Sequence, residues 1–287
     1  MMKVYSPLIP TAHGRDSWYW CLLSNTRCCD HAGWLAKQGN ADPAVAGHHG
    51  LSNLFGGILG FCALVLLPSQ AALAQDWSAD AAIVTDYVDR GLSNSGGKPA
   101  LQLGLARALG EGFTLGSWAS TIGEGEGNNW SEVDFYLAKD WQIADGDLEL
   151  AATWIGYPGA PSDSDANLWE FSAVLHQPVT ERGQIGLIAI ATPDNSGHAG
   201  DALYLALETQ WQLDENFALF GHVGRQWNQR EDRAGPDYNE WAVGLFYSIN
   251  TVSLSLTFSD TPGLDREDAP GPCGKRLVAG INWQPEW

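Results

Sequence analysis

Residues 238–259 read Tyr238-Asn239-Glu240-Trp241-Ala242-Val243-Gly244-Leu245-Phe246-Tyr247-Ser248-Ile249-Asn250-Thr251-Val252-Ser253-Leu254-Ser255-Leu256-Thr257-Phe258-Ser259. Trp241, Val243, Leu245 and Tyr247 alternate with Glu240, Ala242 and Gly244, and beyond Asn250 the apolar Val252, Leu254, Leu256 and Phe258 alternate with Ser253, Ser255 and Thr257. Successive side chains of a strand point to opposite faces, so a period of two predicts two strands reversing at Asn250. Each arm has one wholly apolar face and the length, about 9–11 residues, that a strand needs to cross a bilayer.

The same period recurs upstream. In residues 131–141 Val133, Phe135, Leu137 and Trp141 oppose Glu132, Asp134, Tyr136 and Asp140. In 168–177 Trp169, Phe171, Ala173 and Leu175 oppose Glu170, Ser172 and His176, and in 203–211 Leu203, Leu205, Leu207 and Trp211 oppose Tyr204, Glu208 and Gln210. Three stretches alternate less: 183–192 is nearly all apolar, and 77–87 and 99–108 are rich in Ala and Leu.

Twelve strand-length stretches fit between Trp77 and Trp287, and their connections alternate in length. The short ones are 110–112, 143–146, 178–182, 213–216 and Asn250; the long ones are 88–98, 122–130, 158–167, 193–200, 228–237 and 260–275. An even strand number with tight turns at one end and long loops at the other is the pattern of bacterial outer-membrane barrels. The predicted fold is all-β: a transmembrane antiparallel up-and-down β-barrel of twelve strands, with short periplasmic turns, long extracellular loops and both termini periplasmic. A soluble sandwich also alternates, but strand length and one-sided loops argue against it. Aromatics reinforce the reading as two interfacial belts. Trp77, Trp141, Trp211, Phe217, Tyr247 and Trp283 lie beside the short turns, and Tyr87, Trp154, Tyr157, Trp169, Trp227 and Phe258 toward the long loops.

Before the strands, residues 54–67 form an apolar run followed by Pro68 and by Ala72-Leu73-Ala74. That is a signal peptide over 51–74 with an A-x-A cleavage site, and a run too short for a membrane helix. Residues 1–50 carry no sustained period and read as a mis-called, unstructured extension ahead of the true start, leaving 75–287 as the exported outer-membrane β-barrel of a Gram-negative bacterium. Its partners would be the outer-membrane lipid bilayer, the barrel-assembly machinery and small hydrophilic solutes or ions. The formal net charge of −19, from 15 Lys and Arg against 34 Asp and Glu, repels nucleic acid. Beyond residue 74 the one cysteine is Cys273, so no intramolecular disulfide is expected in the exported part.

Several short motifs cluster at the start of the barrel: Thr85-Asp86-Tyr87-Val88-Asp89-Arg90-Gly91-Leu92-Ser93, then Pro99-Ala100-Leu101-Gln102, Gly116-Ser117-Trp118-Ala119-Ser120, Glu132-Val133-Asp134-Phe135-Tyr136 and Tyr157-Pro158-Gly159. In this combination the chain resembles the TorF-type porins, outer-membrane proteins long described only as conserved hypothetical. The resemblance covers roughly the first 85 residues after the leader. It implies a barrel and, by the family's name, a pore; it supplies no catalytic or binding residue.

With the lipid faces assigned by period, the inward, pore-lining positions are Asp80, Asp86, Glu132, Asp134, Asp140, Glu149, Glu170, Glu208 and Glu240. Rings of carboxylates favour cation passage, which predicts a porin-like channel with cation preference. The alternative is a filled interior in which these groups pair with Arg225, Arg276 and tyrosine hydroxyls. Arg90 would stand at the pore mouth, facing anions or bracing a loop, with pairing to Asp86 or Asp89 the simpler reading. Two other classes compete. A non-conducting structural or adhesive barrel would present long loops such as 260–275. An outer-membrane lipid hydrolase would need Ser, His and an orienting group in reach; His198 has Ser196 and Asn195 beside it, but no G-x-S-x-G element is present. No catalytic residue, metal site or cofactor is assigned: Asp163-x-Asp165 and the 265–268 acidic cluster lack a complete cation-loop signature.

Overall fold

A computed structural model describes residues 76–123 and 131–285. The expected extension 1–50, the signal peptide 51–74, Gln75 and most of the loop 122–130 lie outside the described residues.

Twelve antiparallel strands close into a barrel. They are β1 (Trp77–Val84), β4 (Ala100–Gly110), β5 (Phe113–Thr121), β6 (Ser131–Ile143), β7 (Gly146–Gly156), β8 (Leu168–Thr180), β9 (Gly183–Thr192), β10 (Ala202–Gln212), β11 (Phe217–Asn228), β12 (Tyr238–Ile249), β13 (Val252–Asp260) and β14 (Arg276–Trp283). Each pairs with its neighbour in sequence, and β1 closes the ring against β14 with Ala81 opposite Trp283 and Val84 opposite Gly280. A separate two-stranded hairpin, β2 (Val88–Asp89) with β3 (Leu92–Ser93), sits in the first long loop. One helical turn, α1 (Glu231–Ala234), lies in the loop after β11. The short connections all fall at the end where β1 begins and β14 finishes. At that end Asp214 accepts hydrogen bonds from the backbone N–H groups of Asn216 and Phe217, which hold its carboxyl below the usual range.

The expected faces are the observed ones. Phe135, Leu137, Trp169, Phe171, Leu203, Leu205, Leu207, Val243, Leu254 and Leu256 are exposed on the outside, whereas Glu132, Asp134, Glu170, Tyr204, Glu208, Glu240 and Ala242 are buried inside. Lipid in place of water reverses the usual sorting, and closure leaves no strand edge unpaired. The nearly apolar β9 keeps its alternation with an inner face that is apolar at its middle and polar at its ends, Gln184 and Thr192: Ile185 and Leu187 point out, while Ile188 and Ile190 join Val174, Tyr204 and Ala206 in an inner cluster.

Large inward side chains are seated on glycines directly across the ladder. Tyr136 lies over Gly116, Glu208 over Gly186 and Phe220 over Gly244, where any Cβ would collide with them. This small-against-large pairing lets large inward side chains lie along the wall.

The first strand is shorter than expected. It ends at Val84, and Tyr87 is fully buried against Val84, Val88, Ala100 and Val278, so Tyr87 belongs to the interior and not to an aromatic belt.

The outward band makes a depth-dependent prediction. Leu207 lies mid-strand and Leu213 beside a short turn, both exposed. Leu207→Arg should cost about 2–4 kcal/mol of barrel stability in vesicles and Leu213→Arg no more than about 1 kcal/mol, measured by denaturant unfolding. Equal costs at the two positions would contradict the membrane-spanning assignment.

Candidate functional site

The sequence of residues 85–99 brings polar and apolar groups together in a loop that would be expected to extend into water. It folds inward instead, and its contacts span the ring. Asp86 accepts from Ser93 and Ser95 hydroxyls at 2.5 and 2.9 Å and from Arg276 of β14 at 2.7 Å. Tyr87 donates its hydroxyl to Glu132 of β6 at 3.2 Å. Leu92 packs with Tyr238 of β12 and with Leu264 and Cys273 of the last long loop. The backbone N–H of Ser93 reaches the Pro272 carbonyl. Groups on β6, β12 and β14 can meet one hairpin only if it lies inside the barrel at the long-loop end.

Its tip carries the decisive contacts. Arg90 and Gly91 both have positive φ, 46° and 79°, a conformation costly for a non-glycine residue. A Cβ on Gly91 would stand 2.5 Å from Thr261 and 2.8 Å from Glu240, so the tip rests directly on the inner wall. The Arg90 guanidinium donates to Glu170 of β8 at 2.5 Å, lies over the Tyr204 ring of β10 at 5.6 Å and approaches Asp89 at 3.6 Å. Glu170 also accepts from Thr192. Arg90 is therefore a strut across the lumen. Of the two expected partners, Asp89 is a secondary contact, and Asp86 pairs with Arg276.

The predicted lining residues all lie inward, Asp86 just past the end of β1. Asp80, Asp86, Glu132, Asp134, Glu149, Glu170, Glu208 and Glu240 are buried, and Asp140 is half-buried opposite Glu149. Two of these carboxylates meet histidines: His176 contacts Glu208 at 2.6 Å and His222 contacts Glu240 at 2.7 Å. Tyr204 donates to the other oxygen of Glu240. Arg225 does not reach them; it stacks on Trp227 and bonds Asn239 and Asp237 near the rim. The sequence reading missed Tyr204 and Thr261 as tip contacts and Thr192 as a second partner of Glu170, because nothing local ties them to residues 89–91.

The outer loops have a second junction. His198 contacts Asp194 at 2.7 Å within its own loop and Asp165 of the preceding loop at 3.0 Å. Its backbone carbonyl accepts from Arg230, and the Gly197 N–H donates to the Asp165 carbonyl. The Asp194 hydrogen bond and charge, with Asp165, raise the His198 pKa above its ordinary value.

The family model described as a bacterial protein of unknown function, Gcw_chp, matches residues 69–269, far beyond the first landmarks at the start of the barrel. No match was found among curated proteins. Among solved structures, the NanC porin superposes with a TM-score of 0.51 at 9% identity, covering 73% of this chain and 100% of that one. The KdgM porin does so with 0.51 at 9%, covering 73% and 99%. At such identity the likeness is one of fold.

Two expectations follow from this geometry. Glu170→Gln removes the negative charge that compensates a nearly buried guanidinium, a loss of about 3 kcal/mol that should free the tip and speed tryptic cleavage between Arg90 and Gly91 about a hundredfold; an unchanged rate means that the Glu170 charge does not hold it. Because the His198 pKa is raised, its contribution is complete below about pH 6.5 and is lost as pH rises through the raised value. The Gly197 amide should then be better protected from hydrogen exchange at pH 6 than at pH 9, after correction for intrinsic rates. Equal protection would rule out a clasp through His198.

Proposed function

The chain belongs to the Gcw_chp family of bacterial proteins of unknown function, and from its closed barrel we propose an outer-membrane channel of the porin kind, passing small hydrophilic solutes by diffusion. The observation that carries this reading is the reversed polarity of the wall, apolar outside and polar inside, over twelve closed strands. A barrel of twelve strands encloses more room than the eight that side chains just fill. The TorF-type porin assignment, export by cleavage after Ala74, delivery to the outer membrane by the assembly machinery and the absence of enzymatic activity belong to the same proposal.

Within it, the acidic inner face supports cation preference. Asp86 and Glu170 are matched by Arg276 and Arg90, and His176 and His222 accompany Glu208 and Glu240. Carboxylates still outnumber guanidinium groups along the wall, which favours cations. The hairpin tip lies in the path at the long-loop end, so conduction is throttled there, and Arg90 takes the place of a pore-mouth residue as a constriction.

A second reading has its own support. The inward carboxylates are mostly buried, and the loop at 261–275 packs over the hairpin through Leu264 and Cys273. That arrangement suits a non-conducting barrel that presents its loops to partners.

Single-channel recording on the purified full-length chain's processed form separates the two readings. We expect discrete conductance, a cation-selective reversal potential in a salt gradient, and lower cation selectivity when Glu132→Gln, Asp134→Asn and Glu170→Gln are combined. An inserted, folded barrel that stays silent both as wild type and as Glu170→Gln would overturn the channel; unchanged selectivity in the triple variant would overturn the acidic filter alone.

A further inference from the structure

One wall of the lumen has a different chemistry. Toward the short-turn end, the inner face of β11–β14 shows Phe220 and His222, then Gly244, Phe246 and Ser248, then Ser253, Ser255 and Thr257, then Gly280. None of these positions holds Asp, Glu, Lys or Arg. Burial along β13 marks where this wall opens. Thr261 and Ser259 are buried at the level of the hairpin tip, whereas Thr257, Ser255 and Ser253 below them are only half-buried, as are Phe220 and Phe246.

The two phenyl rings lie 5.2 Å apart between centroids, and Phe220 stacks on His222 at 6.1 Å with 25° between planes. Gly244 lets Phe220 lie flat on the wall, and Gly280 leaves room beside the Ser255 hydroxyl. His222 supplies the group that points to a ligand. Its side chain is 7% exposed, and its Nε2 is held by Glu240. Its Nδ1 is buried with no hydrogen-bond partner among the described residues, although a buried ring nitrogen costs free energy until it is satisfied.

We infer that this wall binds an uncharged sugar or polyol, its ring face on Phe220 and Phe246 and its hydroxyls on His222 Nδ1, Ser255 and Thr257. A sugar ring combines an apolar C–H face with a rim of hydroxyls. It matches an aromatic platform beside side chains that both donate and accept. An anionic sugar is repelled by Glu208 and Glu240 close by. A cation finds those two carboxylates already engaged by the histidines.

The inference names the solute class of the proposed channel and rests on that reading for transport, though binding can be measured without it. Calorimetric titration of the purified protein in detergent with maltose, and with glucuronate as the charged comparator, is the test. Maltose should bind, glucuronate should bind at least tenfold more weakly, and Phe220→Leu with Phe246→Leu should weaken maltose about tenfold while the barrel stays folded. Thr257→Val, which keeps volume and removes one hydroxyl, should weaken it less and serves where the double variant does not fold. Absent maltose binding, equal affinity in the variants, or glucuronate binding as well as maltose would each overturn the site. A protein that binds maltose but is silent in bilayers keeps the site and loses the channel; conductance without binding does the reverse.

Discussion

The pairing of β1 with β14 is the constraint on which the rest depends. In a bilayer no water is present to satisfy a free strand edge, and each unpaired backbone group there costs several kcal/mol. The ladder itself is short, from Ala81 to Val84, but the Thr85 N–H donates to the Ala279 carbonyl and the Thr85 hydroxyl accepts from the Ala279 N–H. This threonine extends the seam by one step with a side chain. The chain then turns inward at Asp86, held by Arg276 of the same seam. Wall and inner hairpin are thus joined at one place.

The interior shows how a membrane barrel accommodates polar bulk without water-filled volume everywhere. Glycine opposite a large residue removes the steric conflict across the ladder, and pairing removes much of the electrostatic one. Buried ions persist only where partners and hydrogen bonds offset their desolvation. Arg90 with Glu170 and Asp89, and Asp86 with Arg276, Ser93 and Ser95, meet that condition. The consequence is a lumen with a crowded acidic side and a neutral hydroxyl side.

Sequence made the wall legible because lipid and lumen impose opposite demands on alternate residues. Val133 to Trp141 and the 238–259 hairpin have the faces their period predicts. Gly183 to Thr192 resisted reading because the middle of its inner face, Gly186, Ile188 and Ile190, is as free of polar side chains as its outer face, and period carries no information where both faces agree. The inward carboxylates were placed by the same alternation, yet their burial was not, since alternation says which way a side chain points and not what it meets. The Arg90 partner was illegible for a related reason: Glu170 is 80 positions away, while Asp86 and Asp89 are close in sequence. Phe220 and Phe246 escaped notice because aromatics in a barrel are expected at the lipid interface, and only their phase relative to Ala218, Ala242 and Gly244 puts them inside.

The inward hairpin also fixes an order of events. It follows β1 in the chain, but the residues that hold it, Glu170, Glu240, Thr261 and Arg276, arrive with later strands. Thr85 and Ala279 meet across 194 positions, the kind of distant contact that forms late because the loop-closure entropy must be met first. Until that contact forms, residues 88–93 have no cavity to occupy. Sealing the wall and narrowing the mouth are therefore one step, and a barrel arrested before it would be open at its side and unobstructed at its top.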